Sequence, residues 1–261
     1  MIGMFRRRER LLPTESNAKS VIVSFEQSRL DGGLTPQATA STCIDAVSQH
    51  SIQSLLVPCG LARTYGLTVP ASLPLIIQLS TASKHAVPSW NRTVVCTVLE
   101  ALRAGADAVA LQLAIGNEYE EKMMQDFCSI SEEAHSYGLP VLLSICAKGD
   151  RIVQEYDRAL IADSISFGSE LGADIVAVPY SGHQPSFAQA VNESTAPVVL
   201  AGTHGAANFD AYCKSVEAGI AAGAEGVIVP FQLLSQENPV EGLERIQSLA
   251  VQPEEPKEAD V

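Results

Sequence analysis

The sequence predicts an α/β fold of eight strands alternating with helices, closed as a single (β/α)8 barrel. Three observations predict it. Eight short apolar runs recur along the chain, and helical segments that stop at glycine fill the gaps between them. The length, 261 residues, is that of one barrel domain, about 250 residues. The alternation alone would also admit a doubly wound open sheet. Hydrophobic residues make up 46% and aromatics only 5%, so the core must come from Val, Ile, Leu and Ala. Such residues suit parallel strands buried on both faces.

Residues 1–18 read as a leading helix and loop. Arg6, Arg7, Arg8 and Arg10 form the one basic run, interrupted by Glu9. A solvated helix face accounts for it better than a nucleic-acid arm, because the whole chain carries a net charge of −13. No nucleic-acid partner is expected. The barrel occupies 19–250, with strands expected at 20–25, 54–58, 74–80, 107–113, 140–146, 174–180, 197–201 and 226–229. Helices are expected at 90–104, 118–137, 158–171 and 209–222, each followed by Gly105, Gly138, Gly172 or Gly223. Residues 251–261, rich in Pro and Glu, are expected to form a disordered acidic tail.

The words AGAD (104–107), LGAD (171–174) and AGAE (222–225) stand just before three strands. Glycine ends the helix, a small residue packs, and an acid opens the strand. That end is the floor of a barrel, where recurring residues speak for stability. Asp107, Asp174 and Glu225 are therefore read as structural.

Six cysteines are present, none at CxxC spacing. A zinc site or disulfide framework is not indicated, and buried thiols in a reducing cytoplasm are expected. No apolar stretch reaches the 18 or so residues of a membrane span, so no membrane partner is expected.

The chain resembles the archaeal-type class I fructose-bisphosphate aldolases, within the deoxyribose-phosphate aldolase superfamily. Related enzymes include the autoinducer-2 phosphate processing enzyme and the aminodideoxyheptulosonate synthase. The segments that carry the likeness are EALRAGADAVALQLAIGNEYEEKMM (100–124), EEAHSYGLPVLL (132–143), SELGADIVAVPY (169–180), APVVLAG (196–202), AGIAAGAEGVIV (218–229) and QENP (236–239). The resemblance runs from about Arg7 to Ile246. It implies an aldolase-type TIM barrel that works without a cofactor or metal and forms a homo-oligomer.

It also implies where chemistry should stand, and the residues there differ. The family pattern at strand six carries a lysine that forms a Schiff base with a substrate ketone. In this sequence Ala177 occupies that position. At strand five, where relatives carry a tyrosine and an arginine, stand Cys146 and Lys148. Glu26 stands where relatives end strand one with an aspartate. The phosphate loops of relatives become Gly202-Thr203-His204 and Pro230-Phe231-Gln232, and proline brings no N–H for an anion. Lys148, Glu26 and Cys146 are thus the candidate catalytic residues. Lys84, Tyr180, His183, Gly202, Thr203 and His204 are the candidate substrate-binding residues at the barrel mouth. Two functions follow. One is a pseudo-aldolase, or a barrel of changed function that binds a small metabolite or a partner. The other is a divergent carbon–carbon lyase with a displaced lysine, Lys148 or Lys84.

Overall fold

A computed structural model describes residues 2–14, 18–26, 40–83, 85–202, 204–234 and 238–251. The eight barrel strands, here β1–β8 in chain order, are Ser20–Ser24, Ser54–Pro58, Leu75–Gln78, Ala108–Ile115, Val141–Ala147, Ile175–Val178, Val198–Leu200 and Gly226–Pro230. Each pairs in parallel with its neighbour in sequence, and β8 returns to pair with β1, so the barrel closes. Closure rather than an open sheet decides between the two architectures that the alternation admits.

The strands are apolar on both faces because each face packs against something. Ile22, Leu56, Ile76, Ala110, Leu142, Ala177, Val199 and Ile228 fill the barrel interior. Their neighbours along each strand, such as Val21, Val23, Leu55, Ile77, Val109 and Val176, pack outward beneath the helices. This is period-2 alternation with both sides dry. At the lower end of β8 the backbones lie so close that a Cβ on Gly226 would sit 2.6 Å from the carbonyl oxygen of Ser20, which leaves room for glycine alone.

The leading helix, Ile2–Leu11, closes the barrel floor. Leu11 and Leu12 join the interior cluster, and the Ser20 hydroxyl donates to the Leu11 carbonyl at 2.6 Å. Two of its arginines reach the barrel floor. Arg7 donates to the Gly138 carbonyl at 2.7 Å, and Arg10 pairs with Asp107 at 2.7 Å. The three strand-opening acids tie neighbouring strands together. Asp107 accepts the Leu75 N–H at the start of β3. Asp174 accepts the Val141 N–H at the start of β5, and also meets His135. Glu225 pairs with Lys19, just before β1.

One expected element is corrected. The stretch 90–104 is not a single helix: Thr93–Val94 pairs antiparallel with Ser80–Thr81, and only Val98–Arg103 is helical. Two β-branched residues suit the ribbon. Thr97 then starts the helix with a capping box, in which its hydroxyl accepts the Glu100 N–H and Glu100 accepts the Thr97 N–H. The expected helices at 118–137, 158–171 and 209–222 appear as Glu120–Ser136, Arg158–Glu170 and Phe209–Ala221. Residues 252–261 of the expected tail lie outside the described residues. No helix of the described residues is long and apolar enough to cross a membrane.

Candidate active site

In a barrel of this kind the loops after the strands surround the site. A cavity of about 510 Å³ opens there. Its floor is apolar, made by Leu56, Leu142 and Ile228 from the barrel interior, and its upper wall is polar. Glu26, Arg92, Gln112, Cys146 and Lys148 line that wall, with Ser24, Gln78, Ser144, Glu155 and Tyr156.

The polar wall is built from strand positions that face inward. Gln78 and Gln112 interrupt the apolar runs of β3 and β4 and point into the mouth. Buried Ser80 fixes both: Gln78 Nε2 donates to the Ser80 carbonyl at 3.0 Å, and the Gln112 N–H donates to the Ser80 hydroxyl at 2.9 Å. Gln112 Nε2 in turn donates to Glu26 Oε1 at 3.0 Å. The Glu26 N–H donates to the Ser24 hydroxyl at 3.2 Å. A short chain of hydrogen bonds thus holds Glu26 at the rim.

Burial pushes the Glu26 carboxyl up from 4.5 to about 7, against the opposing pull of the Arg92 guanidinium and of hydrogen bonds from Gln112 and Ser24. Near neutrality Glu26 can therefore either hold or take a proton, the condition for general acid–base work. Burial also pushes the Cys146 thiol up, although Lys148 and Arg92 act in the other direction. A raised thiol is mostly protonated at neutral pH and so a poor nucleophile. Lys148 Nζ donates to Glu155 Oε2 at 2.5 Å, and both side chains are about 40% exposed. Among the described residues no three His, Cys, Asp or Glu side chains converge as a metal-ligand set.

Lys148, Glu26, Cys146 and Gly202 all line the cavity. Tyr180, His183 and His204 do not, and their placement differs from the sequence-based expectation. Pro179 faces inward and lines the mouth, so alternation turns Tyr180 outward. It is buried edge-on against Phe187, with ring centroids 5.3 Å apart. His183 caps the helix Gln184–Glu193, its ring accepting the Ser186 N–H. His204 adopts φ 54°, which turns its ring back. Its Nδ1 accepts the Tyr180 N–H at 2.9 Å, and its ring stacks on Tyr212 at 5.2 Å. Burial holds its imidazole down at about 4. Lys84 and Thr203 lie outside the described residues.

Ala177 sits on β6 in the barrel interior, fully buried. It is in register with Ser144 on one side and Val199 on the other. Sequence reasoning missed Arg92, Gln78 and Gln112. The two glutamines carried a signal: each is a lone polar residue at an inward-facing position of an otherwise apolar strand. Arg92 carried none, because it lies in a stretch read as helix.

Closed eight-stranded topology with a polar cavity at the carboxyl ends of the strands defines a barrel of the aldolase type. The model of the DeoC/LacD family aldolases matches residues 21–232, and the chain belongs to that family. It is 30% identical over 243 residues to 2-amino-3,7-dideoxy-D-threo-hept-6-ulosonate synthase 1 of Archaeoglobus fulgidus, covering 92% of this chain and 88% of that protein. It is 27% identical over 206 residues to 2-amino-4,5-dihydroxy-6-oxo-7-(phosphonooxy)heptanoate synthase of Streptomyces griseus, covering 79% of this chain and 75% of that protein. Among solved structures it is similar to an archaeal fructose 1,6-bisphosphate aldolase, with a TM-score of 0.82, 23% identity and coverage of 95% of this chain and 97% of that one. At that identity the structural likeness speaks for the fold.

Proposed function

We propose that this chain is a barrel of changed function within the aldolase family, one that binds a small metabolite at its mouth without a Schiff base on β6. The observation that carries the reading is Ala177. By the family resemblance it stands where an aldolase carries its nucleophilic lysine, and it lies buried in the barrel interior. A methyl group supplies no amine, so the iminium electron sink cannot form from that position. The polar wall above it remains organised. Glu26, Gln112, Arg92 and Lys148 converge on a cavity of about 510 Å³, within the usual range of roughly 300–1,000 Å³ for small-molecule sites. Organisation of this kind favours binding over a purely structural role.

One observation favours a second reading, a lyase with a displaced amine: Lys148 lines the same cavity. Against it, its Nζ is engaged by Glu155 and its side chain is 40% exposed. A nucleophilic lysine is normally desolvated or set beside another cation. A retro-aldol assay on a panel of phosphorylated and free ketoses separates the readings. Aldehyde release at background, unchanged in Lys148→Met, is expected. Release that disappears in Lys148→Met would establish the displaced-lysine lyase instead.

A further inference from the structure

We infer that the cavity takes a small monocarboxylic acid, its carboxylate on the Arg92 guanidinium. The inference rests on the reading of the mouth as a metabolite site and names the ligand class.

Among the described residues two cations line the cavity, Arg92 and Lys148, together with two carboxyl groups, Glu26 and Glu155. Lys148 is matched by Glu155 at 2.5 Å. Arg92 makes no ion pair or hydrogen bond with any other described residue. Its facing carboxyl, Glu26, accepts from Gln112 Nε2 rather than from the guanidinium. When Glu26 carries a proton, the described residues of the wall keep one positive charge, and it sits on Arg92. One guanidinium presents a planar fork of N–H donors that fits a single carboxylate.

Gln112 is pinned by two hydrogen bonds, its N–H to Ser80 and its Nε2 to Glu26, so the Glu26 carboxyl stays turned to Gln112 and the guanidinium is left to a ligand. A phosphorylated ligand is disfavoured at this wall. A phosphate dianion needs several donors and more than one net positive charge. At the end of β8 the cavity wall offers Pro230, which has no N–H. The apolar floor of Leu56, Leu142 and Ile228 suits the carbon chain of an acid rather than a second charged group.

The test is isothermal titration of the full chain with gluconate and glycerate at mildly acidic pH. Gluconamide serves as the neutral isostere, and glucose 6-phosphate as the phosphorylated comparator. At least one of the two acids should bind saturably. Its amide should bind about tenfold or more weakly, as should the phosphate, because a desolvated charge-assisted hydrogen bond is missing or mismatched. Arg92→Gln should remove the preference of acid over amide, while Arg92→Lys, which keeps the charge, should retain part of it. Gluconamide binding to Arg92→Gln also serves as the control that the variant is folded. The inference is overturned if neither acid binds saturably, if amide and acid bind alike, or if glucose 6-phosphate binds more tightly than both acids. The wider reading fails separately, through a lysine adduct or lysine-dependent aldehyde release, neither of which this titration measures.

Discussion

Replacing Glu26 with Gln should make the protein more stable at neutral and alkaline pH, and the gain should vanish in acid. In the unfolded chain a glutamate titrates near 4.5, and in the fold Glu26 is pushed up to about 7. Below the lower value the carboxyl is protonated in both states and contributes nothing. Between the two values the folded protein retains a proton that the unfolded chain has released, so each rise in pH costs stability. Above the upper value both states are ionised and the full cost persists. A displacement of that size corresponds to about 3 kcal/mol, set by the burial of a charge that Gln112 and Arg92 only partly compensate. Glutamine keeps the shape and an oxygen for Gln112 Nε2, and carries no charge. For a protein of this length, about 3 kcal/mol corresponds to roughly 6–12 °C in Tm. Urea unfolding followed by circular dichroism, on both proteins at steps from about pH 4 to pH 8, isolates the difference. The variant should gain on the native protein through the window between the two titrations, then run parallel to it above. A constant difference across the series, or a native protein more stable at pH 8, would refute the assignment of Glu26 as a buried, partly protonated acid.

Other outcomes follow from the same structure. Affinity for a monocarboxylate should fall as pH rises through about 7, because ionised Glu26 competes with the ligand for Arg92; titration calorimetry of native protein against Glu26→Gln would show the slope in the first and not in the second. Asp174→Ala should cost about 1–3 kcal/mol in denaturant unfolding, since it strips the Val141 N–H of its acceptor at the barrel floor. In a thiol titration of the native protein, exposed Cys128 should react first and half-buried Cys146 slowly, with Cys43, Cys59, Cys96 and Cys213 reacting only on unfolding. The His204 imidazole, held down at about 4 by burial, should remain neutral in a nuclear magnetic resonance titration until the pH approaches that value.

The strands were legible because they are buried twice. A parallel strand between a packed interior and a layer of helices must be apolar at every position, and such runs stand out from helical patterns. The floor was legible for a related reason: Gly, a small residue and an acid recur at three of the points where a helix hands over to a strand, and Asp107 and Asp174 bond the N–H groups that open neighbouring strands. The ribbon around Thr93 was not legible, since its partner Ser80–Thr81 lies outside the local window in which a helical pattern is judged. At the site, alternation along β6 already turns Tyr180 away once Pro179 faces the mouth. His204 could not be placed from sequence, because its position depends on a left-handed backbone turn and on Tyr212 in a later helix. Arg92 reaches the cavity through the same ribbon, so the cation on which the ligand inference turns was hidden with it.

Reductive trapping tests most directly whether a Schiff base forms in this barrel. The native protein is incubated with borohydride and a panel of ketones, including ketose phosphates and 2-oxo acids, and its peptides are then mapped by mass. No adduct on any lysine is expected, because β6 presents Ala177 to the interior and Lys148 is engaged by Glu155. A reduced adduct on Lys148, formed with one ketone and not with the others, would contradict that expectation and show that the nucleophile has moved rather than gone.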